Sequence, residues 1–166
     1  MNFQFYLEKL YDSEVFKNFK KENPGAYLSS GFFVMDKLKG SNKQHIDYFV
    51  PSSKKMFSFQ MESWVTLVPV EETDKRIPEK MNDNLDFVFE DVEKMIEDEK
   101  AKESVEKKTE KVLLSLQRLE GKDYLLGTVF IAGLGMLKIK IDVDEKKILE
   151  FEKKSFMDMV NVFKKK

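Results

Sequence analysis

At 166 residues the chain is sized for one domain, and its 42% hydrophobic content supplies a core, which excludes a disordered chain. Lys plus Arg (29) nearly balances Asp plus Glu (30), so a net charge of −1 gives no global attraction for a polyanion and argues against nucleic acid as a partner. Cysteine is absent, which excludes disulfides, thiolate nucleophiles and Cys-ligated zinc.

Glu8 and Lys9 interrupt the N-terminal apolar pattern, so no signal peptide is expected, and no stretch approaches the ~18–20 apolar residues of a membrane span. A cytoplasmic location with no membrane partner is the expectation. Phenylalanine is abundant, with 15 residues beside nine methionines, which suits a core of large, adaptable side chains.

In chain order, Phe3, Leu7, Leu10, Tyr11, Val15, Phe16 and Phe19 fall at helical spacing and predict helix over 3–22. Asp12-Ser13 before Glu14 marks a break, and Asn23-Pro24-Gly25 ends the segment. Strands are predicted at 26–36, 44–50 and 55–61, with a fourth at 64–70. The first is apolar on both pleat faces: Leu28, Phe32 and Val34 on one, Tyr27, Phe33 and Met35 on the other. Residues 71–83 read as a polar linker containing Pro78.

Asn82-Asp83-Asn84 is then a predicted N-cap for a helix carrying Leu85, Val88, Phe89, Val92, Met95 and Ile96. Val112, Leu113, Leu116 and Leu119 form a second helical stripe, with Gly121 as its stop. One unbroken helix over 84–119 would run to roughly 54 Å at 1.5 Å per residue. A compact chain of this length has a diameter near ~40 Å, so a break or solvated overhang is expected within 97–105. Strands follow at 124–131, at 137–143 (Lys138, Lys140 and Asp142 facing water) and at 148–151. A last helix is predicted from Ser155 through Phe156, Met159, Val160 and Phe163.

Two hairpins look alike: Ile46, Tyr48 and Val50 leading to Phe57 and Phe59, and Ile139, Ile141 and Val143 leading to Ile148 and Phe151. The expected fold class is therefore α+β, with an antiparallel sheet of five to seven strands packed by helices in the order α-βββ(β)-α-βββ-α. One domain spans 1–166, with similar αβββ halves at 1–70 and 84–166. That order resembles the secretion-chaperone-like α+β fold, a likeness of topology that implies dimerisation and the holding of client segments.

Chemistry-bearing patterns are sparse. His45, the one histidine, shares a strand face with Asp47, and Ser29, Ser30 or Ser58 would lie on neighbouring strands. Neither Asp142-Val143-Asp144-Glu145 nor Asn82-Asp83-Asn84-Leu85-Asp86 has the spacing of a calcium loop. Gly133-Leu134-Gly135 leads into a strand, which fails the dinucleotide fingerprint. Lys17, Lys20 and Lys21 cluster as a helix face. No metal or cofactor is expected.

The function expected is a non-enzymatic protein-binding or adaptor module, chaperone-like and homodimeric. Its partner contacts would be Phe33, Met35 and Phe49, projecting from the outer sheet face, with Trp64, which lies where the two similar copies diverge. The competing expectation is a small hydrolase or metal-dependent enzyme using His45 and Asp47 with Asp142 or Asp144.

Overall fold

The structure, a computed structural model, describes residues 1–71, 76–155 and 164. It is an α+β protein whose described residues form three helices and one antiparallel sheet of eight strands. Helices α1 (Phe3–Asp12) and α2 (Glu14–Glu22) precede strands β1 (Tyr27–Asp36), β2 (Asn42–Val50), β3 (Lys55–Gln60) and β4 (Thr66–Val70). Helix α3 (Phe89–Lys102) precedes β5 (Thr109–Leu119), β6 (Lys122–Ile131), β7 (Gly135–Asp142) and β8 (Lys147–Ser155). Each set of four strands is a meander, and the meanders join where β1 pairs with β5, giving the order β4-β3-β2-β1-β5-β6-β7-β8.

The N-terminal helices form where polar side chains satisfy their first backbone donors. Asn2 Oδ1 accepts from the Phe5 N–H at 2.9 Å, and Ser13 Oγ accepts from the Phe16 N–H at 3.2 Å. Ser13 is extended (φ −74°, ψ 140°), which ends α1 and starts α2 at the expected break. Their apolar faces lie on one side of the sheet. Phe3 stacks on Phe87 at 5.3 Å and meets Phe33 edge-on at 5.9 Å, while Phe16 and Phe19 pack against Tyr48 and Phe59. Each such aromatic pair contributes about 0.5–1.5 kcal/mol beyond its buried area.

The inner face of the sheet continues this core through Ile46, Phe59, Leu114, Leu116, Leu125, Val129, Leu137 and Ile139, all buried. Val92 and Ile96 of α3 join it from the same side. Buried Lys100 at the C-terminal end of α3 binds the Glu97 carboxylate at 2.9 Å and Thr109 Oγ1 at 2.9 Å, tying the helix to the start of β5.

Four expectations change. The sheet has eight strands, beyond the five to seven read from sequence. Residues 112–119 are strand, because the buried residues are Val112, Leu114 and Leu116, a period of two; Leu113 and Leu119 belong to the other face. The helical stripe arose because this strand is apolar on both faces.

Gly121 serves the β5–β6 hairpin: Glu120 and Gly121 both have positive φ (51° and 77°), the signature of a tight two-residue turn. Helix α3 starts at Phe89, five residues past the predicted cap. Asn82 Oδ1 instead accepts from the Asn84 N–H at 3.2 Å in a local turn, and Val88 bridges to Asn2.

The helix ends at Lys102, inside the predicted 97–105 break. The two similar hairpins prove to be β2–β3 and β7–β8, which occupy different places in their meanders. The predicted final helix lies outside the described residues.

Close packing across the β6–β7 pair has a direct test. A Cβ placed on Gly127 would sit 2.5 Å from Ile139 Cγ1 and 3.1 Å from Leu114 Cδ2, whereas at Gly25 it would meet nothing within 4 Å. Gly127→Ala is expected to lower unfolding free energy by about 1–3 kcal/mol in urea denaturation, and Gly25→Ala to change it by under about 0.5 kcal/mol.

Candidate functional site

Side chains paired across an antiparallel sheet share a face, so the ladder registers state what each side presents. Opposite the helices, β1 presents Ser30, Phe32 and Val34; β2 presents Lys43, His45 and Asp47. Continuing across the sheet, β5 contributes Leu113, Ser115 and Gln117, and β6 contributes Tyr124, Leu126, Thr128 and Phe130. Met136, Lys138 and Lys140 follow on β7, then Glu150 and Glu152 on β8.

The centre of this face is apolar. Phe32, Leu113, Leu126, Phe130 and Met136 are half-buried around Val34, and among the described residues no helix lies over them.

Two polar flanks border the apolar centre. On the β7–β8 side Lys138 stands opposite Glu152 and Lys140 opposite Glu150, and Lys140 Nζ lies 4.3 Å above the Tyr124 ring. On the β2–β3 side Ser30 Oγ donates to Asp47 Oδ2 at 2.8 Å, and Ser58 also hydrogen-bonds this carboxylate. Burial pushes the Asp47 carboxyl above the usual aspartate range, opposed by the two serines and by the charge of His45. His45 Nε2 lies 3.1 Å from Glu62 Oε1, with its ring 6.1 Å from Phe32.

The residues expected to contact a partner are placed differently from one another. Phe33 (0% exposed) and Met35 (5%) lie on the helix side, where Phe33 packs against Phe3 and Phe89. The reason is a bulge between Leu28 and Ser30 that shifts the register of β1. Beyond it the pleat inverts, so Leu28 shares the inner face with Phe33 and Met35 while Tyr27 shares the outer face with Phe32 and Val34. Phe49 does project from the outer face, yet it is 3% exposed, packed 5.6 Å from the Tyr27 ring. Trp64, in the β3–β4 connection, is 79% exposed. The outer residues that sequence reasoning missed, Phe32, Val34 and Leu113, would have followed from placing the bulge and from reading 109–119 as strand.

The residues of the enzymatic expectation do not converge. His45 and Asp47 share one face of β2 as predicted, and Ser30 and Ser58 reach Asp47. Asp142 stands in the same cross-strand row but on β7, four strand spacings away, about 19 Å at 4.8 Å per strand. Its carboxylate accepts from the Glu145 N–H at 3.0 Å within the β7–β8 turn that also holds Asp144. Among the described residues no group of three or more His, Asp or Glu side chains is arranged to hold a metal ion.

No protein-family model matches this chain, and no curated protein matches it. Among solved structures it is similar to the crystal structure of a putative lipoprotein from Clostridium difficile 630, at 10% sequence identity and a TM-score of 0.52. The match covers 85% of this chain and 91% of the other, and at that identity it shows a shared fold alone. Among the described residues no helix is long and apolar enough to cross a membrane.

A carboxyl raised on folding favours the native state while protonated. That contribution is full below the unfolded aspartate value of about 3.9 and is lost as pH rises through the higher folded value. Asp47→Asn, permanently neutral and still able to bond both serines, is therefore expected to raise the melting temperature at pH 7. The gain should shrink as pH falls to about 4, and paired thermal melts at the two pH values check it.

Proposed function

We propose that this chain is a non-enzymatic binding module that docks protein through the open face of its sheet, and that its occupant is a second copy of the chain. The observation that carries the reading is the composition of that face: an apolar centre of Phe32, Val34, Leu113, Leu126, Phe130 and Met136 between two polar flanks. This is the anatomy of a protein interface, with a core depleted of charge and a solvated rim.

Size and charge favour self-association. Seven strand spacings of about 4.8 Å, along strands of about 25 Å, give a face of roughly 800 Å², the contribution of one partner to a standard interface. The flanking lysines and glutamates stand opposite one another with balancing charge, and the net charge of −1 leaves little repulsion between copies. Edge pairing is discouraged: β4 carries Pro69, and the Lys147–Ser155 strand carries Lys147, Glu150, Glu152, Lys153 and Lys154. Association is thereby directed to the face.

The same reading takes the two meanders as half-repeats, 1–70 and 84–166. In such a duplication the matching hairpins make β1 equivalent to β6 and β2 to β7, so the interface would draw on corresponding strands of both halves.

Sedimentation velocity at micromolar concentration tests the proposal. The wild type should sediment at twice its 19.6 kDa mass, and Leu113→Lys with Phe130→Glu should give the monomer mass with unchanged circular dichroism. A monomeric wild type would remove the self-docking reading. Loss of native circular dichroism in the variant would show that these residues serve the fold.

A further inference from the structure

On the helix side, at the end of the sheet where Leu28 pairs with Tyr48, a cleft of about 800 Å³ opens between the α1–α2 corner and residues 80–83. Its volume falls within the range of small-molecule sites. Its walls are held by hydrogen bonds. Tyr27 Oη donates to the Pro78 carbonyl at 2.7 Å, Met81 N–H to the Leu28 carbonyl at 2.8 Å, and Gln4 Nε2 to the Asp83 carbonyl at 2.7 Å. The strap over 78–83 is thus fastened to both β1 and α1, so the cleft is a constructed part of the fold.

The lining is unlike the rest of the inner face. The buried Tyr48 hydroxyl donates to the Tyr11 hydroxyl at 3.3 Å, which leaves the Tyr11 hydrogen available to the cleft. Burial, with a smaller contribution from the Asp83 charge, holds both phenols above the usual tyrosine range, so they remain neutral donors at neutral pH. Lys20, Lys80 and Arg118 face one carboxylate, Asp83, in the lining. Arg118 is engaged by Asp123 at 3.3 Å. Lys20 Nζ instead donates to the carbonyls of Ala26 at 2.8 Å and Pro24 at 3.2 Å, and among the described residues its charge has no anionic partner. Phe16, Leu28 and Met81 supply apolar wall beside these donors.

We infer that this cleft binds a small amphipathic carboxylate, its anionic end on the Lys20 and Lys80 side with the Tyr11 hydroxyl as donor, and its apolar body against Phe16, Leu28 and Met81. Excess positive charge and a neutral hydroxyl donor select a carboxylate over a cation. An apolar wall selects a ligand with a body over a bare inorganic anion. The site lies on the opposite side of the sheet from the docking face and does not depend on it.

The test is a nitrogen-15 heteronuclear NMR titration with 4-phenylbutyrate, against its neutral amide, 4-phenylbutanamide, and inorganic phosphate. The expected result is saturable shifts confined to residues around Tyr11, Leu28, Tyr48 and Met81 with the carboxylate. The amide and phosphate should bind at least about tenfold more weakly. Tyr11→Phe and Lys80→Gln should each weaken the carboxylate several-fold while keeping a dispersed native spectrum. Equal shifts from acid and amide, shifts mapping to Phe32 and Leu113, or no saturation at millimolar ligand would each overturn the assignment.

Discussion

The structure depends on the antiparallel seam between β1 and β5. Among the described residues it is the one place where the N-terminal and C-terminal meanders share a ladder, with Gly31 opposite Leu116, Phe33 opposite Leu114 and Met35 opposite Val112. These pairs all point toward the helices, so the seam both completes the sheet and centres the core beneath α1 and α3. Without it each half would be a four-stranded meander with one covered face and an additional open edge. Pairing β1 with β5 removes an edge from each and leaves as termini of the sheet the two strands best equipped to resist pairing, the proline-bearing β4 and the charge-rich β8.

Both central strands pay for this position in the same way: they are apolar on both faces. In β1, Phe33 and Met35 fill the core while Phe32 and Val34 lie outward; in β5, Leu114 and Leu116 point in while Leu113 points out. Doubly apolar strands usually have cover on both sides, as in parallel sheets between two helix layers. Here one layer of helices is present among the described residues, and the second side is where the docking proposal rests. The energetic logic is that of buried area: apolar surface left half in water retains an unspent driving force of about 25 cal/mol per Å².

The same doubleness limited what could be read from sequence. Elements with one apolar face were legible: the α1–α2 break at Ser13, strand β2 with Ile46, Tyr48 and Val50, and strand β7 with Leu137, Ile139 and Ile141 all follow from simple periodicity. Strand β5 was not, because Val112, Leu113, Leu116 and Leu119 satisfy a helical spacing as well as Val112, Leu114 and Leu116 satisfy an alternating one, and the charged helix just before it favoured continuation. Strand β1 was found but its faces were exchanged. A single bulged residue at Ser29 inverts every side chain beyond it, and no turn-forming glycine or proline marks the spot. That inversion alone moved Phe33 and Met35 from a supposed surface into the interior. The cleft at Tyr11 and Tyr48 was illegible for a different reason: its walls come from residues 11, 48 and 80–83, which only the tertiary fold brings together.

The polar groups follow the same architecture. Asp47 sits between Ser30 and Ser58 on adjacent strands, a row that a half-covered sheet can tolerate because both neighbours donate to it. Had the face been fully exposed, burial would not raise this carboxyl; had it been fully covered by apolar helix, an ionised group there would be costly without closer cationic support. The Ser–Asp–Ser row thus marks the border at which the outer face changes from apolar interior to polar rim. It lies two strands from the β5 centre on one side, while the Lys138–Glu152 and Lys140–Glu150 pairs mark the border on the other. A patch bordered on one side by a carboxylate that its serine neighbours satisfy, on the other by facing lysines and glutamates of opposite charge, and apolar between them, leaves shape and area as the terms on which anything else can bind.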